Sequence, residues 1–265
     1  MDITVPADLA TRFASIAAAH RGGAFLEGNS LETLTLYREG NLTVAWAPFD
    51  HVAVGARLAI VGITPGRQQA ENAFVAFSRA LAQGMPPAEA LRRAKLTGAF
   101  SGPMRENLVT MADHIGLPRV LGVRSVAEIF DPGRELVHLT SALRHPVFVG
   151  GKNYNGNPDL LRTPALRRIV ENHMAAEVRS LPQAIWLPLG PKPAAALAHL
   201  AGLGLLDRNR ILDGLPHPSG QNGERVAYFL GRKPRAALSS KTLPGPIDEA
   251  REQLVARVSR LQMAA

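Results

Sequence analysis

An α/β fold, three layers deep with a mainly parallel four-stranded central sheet between helices, is predicted by two features of this 265-residue chain. Short apolar runs alternate with helix-period segments, and each run ends in Gly, Pro or polar residues. Strands that alternate with helices join as parallel neighbours, and such sheets are covered on both faces. The length supports a full core, and no repeat or low-complexity linker divides it, so one domain over residues 1–265 is expected.

The elements follow in chain order. A helix over about 6–20 precedes two alternating stretches, LETLTLYR and NLTVAWAP, which flank Glu39-Gly40 as a hairpin does. This N-terminal part, about 1–55, leads into the apolar run RLAIVGI at 57–63, the first core strand. Helices are expected from Gln68 to Gln83 and from Glu89 to about Lys95. Three more runs, ELVHLTSAL at 135–143, QAIWLPLG at 183–190 and RILDGLPHP at 210–218, supply the other strands. Helical segments at 158–179 and 193–203 separate them, and an amphipathic helix over 247–263 closes the chain.

Composition narrows the chemistry. Thirty basic against 22 acidic residues give a net charge of +8, which suits a polyanionic partner. Arginine supplies most of the excess, and its planar fork matches phosphate. Aromatics are only 5%, too few for a broad base-stacking platform. There is no cysteine, which excludes disulfides, thiol nucleophiles, zinc–cysteine sites and ordinary iron–sulfur ligation. No run approaches the roughly 20 apolar residues of a membrane helix, and MDITVPADLA lacks the regions of a signal peptide. A monomeric cytoplasmic protein with no membrane partner, no metal and no cofactor is expected.

Ligands of such sheets bind at the carboxyl ends of strands, where three motifs fall. Gly62-Ile63-Thr64-Pro65-Gly66 leaves the first strand directly before a helix, so its backbone can approach a ligand closely. It is not GxxxxGK[ST], so a phosphate loop is not supported. His217-Pro218-Ser219-Gly220-Gln221-Asn222 follows the last run. Thr140-Ser141 closes the second core strand, before Arg144-His145-Pro146 and the Gly/Asn-rich loop 152–158. Singly, a tight turn, a solvated histidine and a polar loop account for them.

In this order the motifs resemble those of the uracil-DNA glycosylase superfamily. GITPG is similar to the Gly-hydrophobe-Asn-Pro-Gly turn of the mismatch-specific and single-strand-selective branches, with Thr64 in place of Asn. Phe77, followed by Ser78, stands thirteen residues after Thr64, the family's spacing for its base-stacking phenylalanine. It also lies on the apolar face of a helix, so core packing competes with that role. Ser141 falls where the family has an Asn that reads the uracil edge. Trp186-Leu187-Pro188-Leu189-Gly190 with Ala194–Leu197, and the Arg-x-Pro beginning at Arg144, resemble elements of the iron–sulfur branches. Without cysteines, the chain resembles a divergent, cluster-free member from about residue 55 to 230.

The resemblance implies removal of a deaminated base from DNA by hydrolysis of its N-glycosidic bond. That reaction leaves negative charge on the departing base, and His217 is the donor expected to meet it. The base is flipped out of the duplex to be reached. Ile63, Gly66, Phe77, Ser141 and Asn153 are the expected base-binding residues; Ser219, Gln221, Asn222, Arg144 and Lys152 are the expected DNA contacts. Thr64 has no useful basicity and acts on water only by positioning it; Glu71 is the nearest carboxylate in sequence. Gly66 stands where the strict branch has a tyrosine, so the pocket is expected to be roomier and, with Ser141, less selective for uracil. A monofunctional hydrolase is expected, with Lys152 keeping a lyase open. Two rivals remain: a non-catalytic DNA-damage-binding protein of the same fold, and a nucleotide-binding enzyme, which lacks the Walker lysine and an acidic metal cluster.

Overall fold

The computed structural model describes residues 9–19, 24–98, 103–131 and 135–263. In chain order these form α1 (Leu9–Ala19), α2 (Gly28–Leu34), β1 (Thr35–Glu39), β2 (Leu42–Ala45), β3 (Leu58–Gly62), α3 (Arg67–Ala82), α4 (Pro87–Gly98), α5 (Pro103–His114) and α6 (Leu117–Leu121). There follow β4 (Val137–Ser141), β5 (Val147–Val149), β6 (Lys152–Asn153), α7 (Pro164–Ile169), α8 (Ala175–Ser180), β7 (Ile185–Pro188), α9 (Pro191–Gly202), α10 (Gly223–Phe229) and α11 (Pro244–Met263). A π-helical segment, Val170–Met174, joins α7 to α8.

The fold class is α/β, and the described residues form two sheets. One is three-stranded, in the order β4-β3-β7, with β3 and β7 parallel from the Leu58–Ile185 pair to the Val61–Pro188 pair. The expected fourth parallel strand at 210–218 is reduced to a single parallel bridge between Trp186 and Ile211, beside the bond from the Leu212 N–H to the Trp186 carbonyl (2.8 Å). The chain leaves the sheet there because Gly214 adopts a φ of 117° and Pro216 and Pro218 have no N–H to give a ladder.

The second sheet is four-stranded and antiparallel, β1-β2-β5-β6. Its first hairpin is the expected one, turning at Gly40 (φ 55°). The stretch expected to open β1 is instead helix α2. The Thr33 and Thr35 hydroxyls donate to the carbonyls of Asn29 and Leu31, four residues back, which suits a helical turn rather than a pleat. Lys152 and Asn153, expected in a loop, form β6 of a second hairpin that turns on Gly150 (φ 54°) and Gly151 (φ 74°). Successive positive φ values are what a two-residue hairpin turn requires.

The chain groups into two compact units. One comprises Met1–Val52, Ile63–Ala99 and Leu139–Glu177. Its core is aromatic: Phe13 stacks on Trp46 with centroids 4.9 Å apart, and Phe25 on Phe74 at 4.5 Å. Helices α3 and α4 approach closely because Gly98 has no Cβ; one built there would lie 2.8 Å from the Gln69 carbonyl oxygen. The other unit comprises Ala53–Gly62, Phe100–His138 and Val178–Ala265. Here Trp186 is buried on β7, Leu254 and Val258 are the buried stripe of α11, and the Tyr228 hydroxyl fastens α10 to Asp248 of α11 at 2.8 Å. Among the described residues no helix is long and apolar enough to cross a membrane.

Candidate functional site

In the first unit the site is built at the turn between β3 and α3. The Gln69 side chain reaches back to the Gly66 N–H (3.0 Å), and the Asn153 side-chain oxygen accepts the Arg67 N–H (3.0 Å). Two donors of the helix start are thereby satisfied, and Asn153 is fixed against the turn. The Asn153 amide nitrogen lies 3.6 Å from where a Cβ on Gly66 would stand, ordinary contact distance, so the amide packs directly against this turn. The Arg67 guanidinium lies over the Phe148 ring, 4.4 Å from its centroid, and donates to the Leu26 and Gly151 carbonyls.

Thr64 serves the neighbouring segment rather than solvent. Its hydroxyl donates to the His145 carbonyl (3.0 Å) and accepts the Val147 N–H (3.2 Å). The single hydroxyl hydrogen is spent, so the expected water-positioning role is limited to the remaining lone pair. The Ile63 carbonyl accepts the Leu143 N–H at 3.0 Å. Ser141 ends β4 half-buried, next to Thr140, whose buried hydroxyl has no hydrogen-bond partner among the described residues.

Three residues singled out in the sequence take other places in the structure. Phe77 is 0% exposed, packed edge-on against Trp46 with centroids 5.8 Å apart, and a ring with no open face cannot stack on a base. Glu71 accepts the backbone N–H groups of Phe25 (2.9 Å) and Leu26 (2.7 Å), so its carboxylate ties the N-terminal segment to α3. Arg144 is no DNA contact: its side chain is 14% exposed and grips Glu177 through Nη2 (2.7 Å) and Nε (2.8 Å).

Arg144 belongs to a buried polar cluster that the sequence did not announce. Asp50 accepts the Trp46 indole N–H at 2.9 Å and lies 3.8 Å from the Arg144 guanidinium. Lys95 donates to the His51 carbonyl at 2.6 Å, and burial pushes its pKa down to about 8. His145 and His173 meet edge to face at 5.7 Å, and burial pushes each down to about 3, so both are neutral near pH 7. Burial also raises the Asp50 pKa, against the lowering effect of Arg144 and the Trp46 hydrogen bond. A signal existed for one member: Lys95 falls on the stripe Leu91, Ala94 and Gly98 that α4 buries. His173 sits in the π-helical segment, a form frequent at functional sites.

In the second unit, His217 is exposed, on a loop held by the bond from the Asn107 amide to the Pro218 carbonyl (2.9 Å). Its Nδ1 accepts the Ser219 N–H at 3.2 Å. The neutral ring therefore carries its hydrogen on Nε2 and presents it as a donor. Partial desolvation keeps the His217 pKa below its ordinary value, which favours this neutral form. Ser219 also accepts the Asn222 amide at 3.1 Å, and Gln221 is exposed on the following turn. Among the described residues no group of three or more His, Cys, Asp or Glu could hold a metal ion.

Comparison with known proteins finds the uncharacterized protein YoxB of Bacillus subtilis (strain 168), 33% identical over 221 residues that cover 82% of this chain and 86% of YoxB. No family model matches the chain, and no solved structure matches it. At that identity and coverage, the chain belongs to the same family as YoxB.

Proposed function

We propose that the protein is a DNA glycosylase of the uracil-DNA glycosylase superfamily, a monofunctional hydrolase that takes uracil or a related deaminated base from DNA. The observation that carries the reading is the tautomer of His217: with Nδ1 occupied by the Ser219 N–H, the neutral imidazole offers Nε2–H to an acceptor. A departing pyrimidine is an anion with carbonyl oxygens to accept it, and one preorganised donor of this kind is worth roughly 3–4 kcal/mol to a transition state. Further support comes from the strand–turn–helix over 58–82, with Asn153 seated on its turn.

In this reading Ile63, Gly66, Ser141 and Asn153 read the base, while Lys152, Ser219, Gln221 and Asn222 meet the DNA strand. The lone bridge at Ile211 is then the remnant of a fourth central strand in a three-layer fold. A monomer in the cytoplasm, needing no cofactor, belongs to the same proposal. A second reading, a damage-binding protein without turnover, is favoured by one observation: the Thr64 hydroxyl is committed to the chain itself.

The test is incubation, without added metal, with duplexes carrying one uracil opposite guanine or adenine, followed by alkali to reveal abasic sites. Cleavage is expected, extending to hypoxanthine or xanthine because the residues at 66 and 141 are small. Tight DNA binding with no cleavage of any of these bases favours the second reading.

A further inference from the structure

The glycosylase reading leaves the attacking water without a proton acceptor, since Thr64 is committed and Glu71 is bonded to backbone. The buried cluster of the same unit contains a pair of the right kind. His145 is 1% exposed, and its Nδ1 faces the Ala47 carbonyl at 3.2 Å. A carbonyl only accepts, so the neutral ring carries its hydrogen on Nδ1 and leaves a lone pair on Nε2. Among the described residues that Nε2 has no hydrogen-bond partner, and it faces Asp50 Oδ1 at 3.5 Å. Two acceptors confront one another, and a proton is what satisfies both. Asp50 Oδ2 is taken by the Trp46 indole, which leaves Oδ1, and with a side chain 19% exposed Asp50 remains open to water.

The pair is mechanically joined to the β3–α3 turn, because the residue whose ring faces Asp50 is the one whose carbonyl holds the Thr64 hydroxyl. Other groups around the pair set its charge. Arg144 (3.8 Å from Asp50) and Lys95 are cations, Glu177 (1% exposed) is the anion gripping Arg144, and the His173 ring is neutral. Glu177 is closed to water by that grip, which leaves Asp50.

Resting on the glycosylase reading, we propose that Asp50, backed by His145, is the proton acceptor for the attacking water. The water oxygen bonds to C1′ of the sugar as the N-glycosidic bond breaks, its electron pair leaving on the base. The water proton passes to Asp50 Oδ1, where the His145 Nε2 lone pair holds it, and the base anion is later protonated from solvent.

The experiment is single-turnover uracil excision by wild type, Asp50→Asn and His145→Phe across the acidic to neutral range. Wild type is expected to lose rate on acidification along a one-proton limb. Asp50→Asn is expected to lose about 100-fold or more, the usual worth of a general base, together with that limb. His145→Phe removes the lone pair that stabilises the protonated acid, so the limb should move to lower pH; this variant carries the test if Asp50→Asn does not fold. A merely structural pair would lower rates without moving the limb. Near-wild-type excision by Asp50→Asn, or an unmoved limb in His145→Phe, overturns the proposal and leaves the glycosylase reading standing. Wild type inert on every base removes that reading, and the proposal with it.

Discussion

Two histidines of this chain precede a proline, and the structure uses them in opposite senses. In the first unit, His145 is buried, with its hydrogen on Nδ1 toward the Ala47 carbonyl and an acceptor lone pair on Nε2. In the second, His217 is exposed, with Nδ1 accepting the Ser219 N–H and a donor on Nε2. The dipeptide is the same; the backbone group facing Nδ1, a carbonyl in one case and an N–H in the other, selects the tautomer. One imidazole is thereby suited to receive a proton and the other to offer a hydrogen bond.

The largest expected effect on stability comes from acid. With folded pKa values near 3 against an ordinary 6.5, His145 and His173 bind fewer protons folded than unfolded between those limits. Stability they contribute above pH 6.5 is therefore lost as pH falls toward 3, by several kcal/mol together, while the raised Asp50 pKa offsets part of it. Urea unfolding as a function of pH reads this directly, and His145→Phe should flatten the dependence. An unaltered slope would mean that His145 is not the neutral buried ring described.

Next, Arg144→Met should cost about 3–5 kcal/mol, because the buried Glu177 carboxylate would lose the guanidinium bonded to it through Nη2 and Nε. Were Arg144 a phosphate contact, the same change would spare the melt and reduce the salt dependence of DNA affinity instead. Phe77→Ala should cost a similar 3–5 kcal/mol through the cavity it leaves, whereas Phe77→Leu should fold and keep excision. Loss of excision in a well-folded Phe77→Leu protein would restore the base-stacking role. At the small end, His217→Ala should change stability by less than about 0.5 kcal/mol, as befits an exposed loop residue.

Much of the scaffold is legible in the amino-acid pattern itself. The period of residues 57–83 marks β3 and α3 almost to their ends, because a fully apolar run and an amphipathic helix each impose their own repeat. The alternation in LETLTLYR misleads over its first half, where the chain is the end of α2 and Thr33 and Thr35 bond back four residues to Asn29 and Leu31, which alternation does not register. The π segment at 170–174 and the single bridge at Ile211 depend on tertiary partners that no window of sequence contains. GITPG and His217 stand out in the sequence because short motifs carry local geometry. Asp50, Lys95 and the His173–Glu177 pair come from stretches far apart in sequence and meet only through folding, so beyond Lys95 on a buried stripe the cluster has little local signature.

The central claim is that His217 stabilises a departing base, and it is tested most directly by single-turnover uracil release by wild type and His217→Ala at matched DNA occupancy. A drop of about 100- to 1,000-fold with unchanged DNA affinity is expected for loss of one preorganised donor. Equal rates in the two proteins, or DNA binding by a wild type that never releases a base, would contradict it.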